Sequence, residues 1–416
     1  MQGDDILFYY KHKDCFLISE DVLQGFNSLK EEDMDFHSNP IFYIGKRDLF
    51  SFRTFFKVTS SYELFHEDLT IIKKPFHETS SIVDNAIKAS KLSFINSSLP
   101  NWEKLLSLQV PKKFKVNVVG LGDVGGTLIT GLRLLGGDVI DTIGIYDLDD
   151  NKVNRWLFEC NAIYDINNET MPKIERLSKE DIFNCDMFVF CVSVGVPEVG
   201  NEKKDVRLIQ FEGNKKIMSI YAKMAREACF NGIFAVVSDP VDLLCKVAFN
   251  ESNKNNLEQF DFKGLMSHQI KGYGLGVMNA RAIYYSSFNE KTKDYEKHGR
   301  AFGPHGEGLI IANSIENYDE NLTSYLTEKT KNANLDLRSF GFKPYIAPAL
   351  SSGALSLLAT LRQQWNYSSN FIGGTFMGMR NKNTDKGIEI ETFEEFPKEL
   401  FSRLSSTYEY LKGIYH

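Results

Sequence analysis

The sequence has little cysteine, and none of it is arranged to cross-link or to hold a metal. Its six cysteines (Cys15, Cys160, Cys185, Cys191, Cys229 and Cys245) contain no CxxC pair, and most lie in apolar segments. They read as buried free thiols, as expected in a reducing cytoplasm. His12, His37, His66 and His77 fall at no metal-ligand spacing, and no metal is expected. No apolar run is long enough to span a bilayer. The start, MQGDDILFYY, has no basic segment and no signal-peptide layout, so a cytoplasmic protein without a membrane partner is expected. There is no basic stripe, and the net charge is -7, which argues against nucleic acid as a partner. Internal repeats and low-complexity segments are also missing.

What is present is enough chain and apolar surface for a large folded protein. The 416 residues, 43% hydrophobic and 13% aromatic, allow two or three domains with a sizeable core. The most informative stretch is 116–147. An apolar run, VNVV, enters Gly120-Leu121-Gly122-Asp123-Val124-Gly125-Gly126. A helical pattern follows, with Val124, Leu128, Leu132 and Leu135 on one face, and then a second apolar run that closes on Asp147. Strand, glycine turn, helix, strand and acid, in that order, make a dinucleotide-binding unit. Gly120 permits the turn, Gly122 the approach of a pyrophosphate, and Gly125 close packing of helix on strand. The helix start at Asp123 and Val124 offers unpaired N–H groups to phosphate. Asp147 suits the hydroxyls of a ribose. Asp149 and Asp150 follow it and no Arg stands beside it, which favours NAD over NADP.

Residues 1–112 read as a small α+β extension. ILFYY, CFLIS, IFYIG and FRTFFKVTSSYELF are strand-like, and SSIVDNAIKASKLSFI is helical. From 113 strands and helices alternate. Buried parallel strands are expected at 186–193 and 232–238, with a long helix from Arg207 to Cys229 between them. The strand ends at Ser193–Pro197 and Ser238–Pro240 should border the cofactor crevice, so Ser193, Val194, Gly195 and Asp239 are expected cofactor contacts. The second strand is followed by a helix that Pro240 can begin. We expect a Rossmann domain over 113–265 and an α+β catalytic domain over 266–416.

Read together, these landmarks resemble the lactate/malate dehydrogenase family. They are GLGDVGG, Asp147, VSVGVP at 192–197, SDPVD at 238–242, AsnAlaArg at 279–281 and GPHGE at 303–307. The resemblance covers about 114–416 and implies hydride transfer between NAD and a 2-hydroxy or 2-oxo acid, in a homodimer or homotetramer. It implies that His305 is the proton acceptor, that Arg281 clamps the substrate carboxylate, and that Arg207 sits on a closing loop and polarises the carbonyl. Ser351 and Ser352 fall where the family covers the distal end of the substrate. With Gly353 they imply a roomy pocket.

Three departures stand out. The family's carboxylate three residues before the clamp arginine is Met278 here, so His305 needs another partner, such as Glu307. The family's Asn before proline is Asp239, and the specificity position matches Glu198. Negative charge at Asp239 and Glu198 disfavours a malate-like dicarboxylate. It favours a monocarboxylate, including one that carries a distal amino group. The alternative is an NAD-binding relative without catalysis. A transient-NAD, metal-assisted glycosidase of similar fold would need a Cys/His pair that Cys245 and His268 do not convincingly make.

Overall fold

The structure, a computed structural model, describes residues 7–34, 39–167, 170–194 and 206–414, with 206–210 as main chain only. In chain order the first elements are β1 (Phe8–His12), β2 (Cys15–Ser19), β3 (Asn27–Leu29), β4 (Ile41–Gly45), β5 (Phe55–Lys57), α1 (Ser81–Lys88) and β6 (Leu92–Asn96). Next come β7 (Phe114–Val119), α2 (Asp123–Leu135), β8 (Ile140–Tyr146), α3 (Asp150–Asn161), β9 (Lys173–Arg176) and β10 (Met187–Phe190). They are followed by α4 (Val206–Glu227), β11 (Ile233–Val236), α5 (Val241–Ser252), β12 (Ile270–Gly272), α6 (Leu275–Ser286) and α7 (Tyr295–His298). The rest is β13 (Arg300–Phe302), β14 (Ile310–Ala312), α8 (Glu320–Ser339), α9 (Leu355–Leu361), β15 (Asn366–Ile372), β16 (Thr375–Thr384), β17 (Gly387–Ile390) and α10 (Lys398–Ile414). A π-helical segment, Pro348–Ala354, leads into α9.

The chain divides into two compact units. The first comprises 1–110, 372–374 and 383–395, and the second the remainder. In the first unit the strands lie in the order β3-β1-β2-β4-β6-β5-β17, with β2, β4 and β6 mutually parallel. Their inner face packs Phe16, Ile18, Tyr43, Phe56 and Phe94 against Ile82, Val83 and Ala86 of α1. Of the strand-like stretch 52–65, Phe55–Lys57 forms a strand, and the chain then leaves the sheet. Glu63 turns the chain into a short helix: its Oε1 accepts the main-chain N–H of Thr59 and Ser60 at 3.0 and 3.1 Å. Ser60 caps the same turn.

The second unit is built on the order β9-β8-β7-β10-β11-β12, parallel throughout, which continues antiparallel into β15. This is the doubly wound arrangement, and the order reverses between β7 and β10. Side-chain alternation along β10 feeds both faces. Met187 and Val189 join a core with α2 and α9, while Phe188 and Phe190 join one with α4 and α5. Each such buried phenylalanine contributes on the order of 1.5–3 kcal/mol. Among the described residues no helix is long and apolar enough to cross a membrane.

Candidate active site

The carboxyl ends of β7, β8, β10 and β11 converge at the point where the strand order reverses. After β7 the main chain turns at Gly120, whose φ of +90° suits glycine. A side chain there would also strike the backbone of Cys191 and Val192, at 2.7 Å. Gly122 faces open space, and α2 starts behind it without a side-chain cap, so its first N–H groups remain available. A Cβ on Gly125 would lie 2.0 Å from the carbonyl oxygen of Gly120, so helix and turn touch there. Val124 lies in the first turn of α2. Asp123 opens the helix, and Lys343 Nζ stands 3.7 Å from its carboxylate.

Asp147 follows β8 directly. Its Oδ2 accepts the N–H of Leu121 at 2.7 Å and its Oδ1 that of Asp149 at 3.0 Å. The acid therefore ties the glycine turn to the neighbouring strand end. A cation does approach it: Lys152 Nζ lies 3.8 Å away, contributed by the next helix. Trp156 on that helix donates its indole N–H to the Leu121 carbonyl at 3.1 Å.

Ser193 and Val194 follow β10. Val194 N–H donates to Asn214 Oδ1 at 2.8 Å, and Asn214 Nδ2 donates to the carbonyl of Asp239 at 2.7 Å. Asn214 is buried on α4 and so joins the two loops that flank the crevice. Gly195 and Glu198 lie outside the described residues. Arg207 falls in the first turn of α4, where only the main chain is described.

The β13–β14 loop carries His305 to Asp239. His305 Nδ1 lies 3.0 Å from Asp239 Oδ1, with side-chain exposures of 14% and 47%. His305 Nε2 is buried and has no partner among the described residues. Glu307, the other candidate carboxylate, is ion-paired with Lys331 on α8. Met278 is 2% exposed in an apolar cluster with Leu275, Ala282 and Leu309. The carboxylate that meets His305 thus comes from the end of β11, not from position 278. Asp239, expected at the substrate and nicotinamide, has its Oδ1 engaged by the imidazole, and its side chain remains about half exposed.

Arg281, on α6, donates from Nη2 to Asn334 Oδ1 at 2.5 Å and approaches Met278 Sδ at 3.9 Å. Burial pulls its pKa down, while Tyr285 and Asp239 act in the opposite sense. The Ser352 side chain, expected at the distal end of the substrate, is engaged within the protein. Its buried hydroxyl donates to the Gly274 carbonyl and accepts the Val277 N–H, both at 2.8 Å. It is taken up in holding the start of α6. The carbonyl of Ser351 accepts the Ser356 hydroxyl at 2.7 Å, and a Cβ on Gly276 would touch that carbonyl. The small residues at 351–353 serve helix packing here.

Below the dyad lies Asp242, buried, with Oδ1 accepting from Ser369 Oγ at 2.7 Å. Burial pushes its pKa up to about 6 from 3.8. The folded state therefore holds a proton that the unfolded chain releases, and this acid makes stability fall as pH rises from about 4 to 6. Asp242→Asn keeps the acceptor and removes the charge. At pH 8 it should be more stable by up to about 3 kcal/mol, with no gain at pH 4. Urea unfolding at the two pH values measures this, and an equal effect at both would refute the burial argument.

The crevice suits a dinucleotide: uncapped helix N–H groups, an open cradle at Gly122, and an acid at the neighbouring strand end. These features define a Rossmann-type nucleotide-binding fold, with a histidine–carboxylate pair at the end of β11. Residues 114–260 match the family model described as the lactate/malate dehydrogenase NAD binding domain. L-lactate dehydrogenase of Staphylococcus saprophyticus is 29% identical over 206 residues, covering 50% of this chain and 59% of that enzyme. The corresponding enzyme of Borrelia turicatae is 26% identical over 239 residues, covering 54% and 66%. The chain thus spans less than two thirds of the length of either relative. Among solved structures, a lactate dehydrogenase from a Medee basin deep-sea metagenome superimposes with a TM-score of 0.59 at 19% identity, covering 73% of this chain and 98% of that one. Malate dehydrogenase of Archaeoglobus fulgidus in complex with NADH gives 0.56 at 17%, covering 72% and 97%. Residues 114–260 thus match a lactate/malate dehydrogenase-type NAD binding domain, and the solved neighbours share the fold.

Proposed function

We propose that the protein is an NAD-dependent dehydrogenase that interconverts a 2-oxo and a 2-hydroxy monocarboxylic acid. The observation that carries this reading is the state of His305: Nδ1 on the Asp239 carboxylate, Nε2 buried and without a partner among the described residues. NAD, when bound, supplies or accepts the hydride. Arg281 would hold the substrate carboxylate through its planar fork. His305 Nε2 would donate a proton to the carbonyl oxygen in reduction and remove it in oxidation. Asp239 would fix the imidazole orientation and stabilise the imidazolium. Arg207, on the helix that follows the crevice loop, is assigned to closing over the substrate and polarising its carbonyl.

Asp239 also sets the substrate class. A carboxylate beside the reacting histidine repels a second acidic group on the substrate, and Glu198 would add to this. Acids with neutral or amino-bearing side chains are therefore favoured over dicarboxylates. A homodimer or homotetramer in the cytoplasm completes the reading. In a non-catalytic NAD-binding relative, His305 has no need of a carboxylate, and Asp239 at 3.0 Å weighs against it.

The test is NADH oxidation against small, branched, aromatic, amino-bearing and dicarboxylic 2-oxo acids. Turnover should be highest for a monocarboxylate. Oxaloacetate as the best substrate would refute the charge argument. Tight NADH binding with no turnover across the panel would favour the non-catalytic relative.

A further inference from the structure

Arg281 differs from most of the chain's other sheltered arginines. Arg53 lies between Glu63 and Glu67, Arg47 pairs with Glu20, Arg226 with Asp261, and Arg362 with Asp138. Arg281 is also largely withdrawn from water, yet among the described residues no carboxylate oxygen lies within 4.0 Å of its guanidinium. Its hydrogen-bond partner is an amide carbonyl, Asn334 Oδ1, and its other neighbour a thioether. A guanidinium so placed is oriented but not neutralised, and a sheltered charge without a counter-ion favours an incoming anion.

Helix α8 supplies this partner and braces the site more widely. Thr327 Oγ1 accepts the Ile311 N–H at 2.9 Å, Lys331 pairs with Glu307 in the His305 loop, and Asp336 accepts the Tyr285 hydroxyl at 2.7 Å. Asn334 stands between these contacts, on the helix that spans from the loop of the proton donor to the helix of the clamp.

We propose that Asn334 is a positioning residue of the carboxylate clamp, aiming Arg281 through a neutral acceptor so that its full charge is kept for the substrate carboxylate. This rests on the reading of Arg281 as the clamp. An aspartate at 334 would place an acceptor in the same position but pair internally with the guanidinium. An alanine would release the fork without cancelling its charge. The two substitutions separate orientation from charge.

The experiment titrates the NADH complex of the full chain with oxamate, a 2-oxo carboxylate isostere whose amide resists reduction, read by NADH fluorescence. KM and kcat for the best 2-oxo acid of the panel are measured alongside. Asn334→Ala should weaken oxamate about ten-fold, and Asn334→Asp on the order of a hundred-fold. KM should rise in parallel, and kcat should change little. NADH affinity should be unchanged in both variants, which reports an intact fold. Asn334→Asp binding oxamate as tightly as Asn334→Ala would overturn the charge argument. Loss of kcat at constant KM would overturn the positioning role. Lost NADH affinity in both variants would make Asn334 structural and overturn it as well. No oxamate binding by the unaltered protein would remove the clamp and the proposal with it. Oxamate binding that depends on Asn334, in a chain that turns over no 2-oxo acid, would uphold the proposal while refuting the dehydrogenase.

Discussion

Asp239→Asn is expected to lower kcat by about 10²–10⁴ while leaving NADH affinity unchanged. The substitution is nearly isosteric and keeps a polar group about 3.0 Å from His305 Nδ1. What it loses is the charge and the acceptor-only character. A carboxylate accepts from Nδ1–H and leaves Nε2 free to exchange a proton. An amide can instead donate to Nδ1, which selects the tautomer with hydrogen on Nε2 and blocks proton removal from a hydroxy acid. The imidazolium needed for reduction also loses its counter-ion. His305→Gln should cost a similar factor, and the double variant should be little worse than either, because the pair acts as a unit. Steady-state kinetics in both directions check this. An Asp239→Asn enzyme that keeps more than a tenth of its turnover would show that His305 does not depend on this carboxylate. Asn is also the family's residue here by resemblance, so the variant tests whether Asp239 is a tolerated change or a relocated function.

The pairing of His305 with Asp239 marks what could and could not be read from the sequence. The glycine turn, Asp147 and the strand–helix alternation depend on local patterns, and β7, β8, β10 and β11 were legible from them, while their order in the sheet was not. Met278 and Asp239 were each visible as departures, one carboxylate lost and one gained. Their relation was not, because Asp239 and His305 are separated by 66 residues and meet only when the β11 end and the β13–β14 loop converge. Two unusual residues of opposite sense at one site were the available signal. Asn334 gave none: it is a polar residue in a mixed helix, and its role depends on how α8 packs against α6. Ser352 misled in the other direction, since small residues suit a roomy pocket and a tight helix crossing equally well, and the hydroxyl bonds to Gly274 and Val277 decide for the crossing. The cation beside Asp147 was hidden similarly. Lys152 comes round on the first turn of α3, which chain proximity alone does not show.

The glycine turn gives the other large expected effect, and here two neighbouring positions should behave differently. Gly125→Ala brings a methyl carbon to 2.0 Å from the Gly120 carbonyl oxygen. Both are main-chain positions, so no side chain can swing away, and α2 must move off the turn. Overpacking of this kind costs about 1–3 kcal/mol and displaces the N–H groups that would receive phosphate. NADH binding should fall by at least about 100-fold, together with a lower melting temperature. At Gly122 an added Cβ meets no protein atom within 4 Å. Gly122→Ala should therefore melt as the unaltered protein does, because the open volume belongs to the bound state and not to the fold. Its NADH affinity should still drop about ten-fold or more, since the methyl occupies the space through which the pyrophosphate approaches the main chain. NADH fluorescence titration and thermal unfolding on the two variants distinguish the cases. Gly122→Ala binding NADH normally would place the pyrophosphate elsewhere, and Gly125→Ala retaining both stability and affinity would show that helix and turn can separate without consequence.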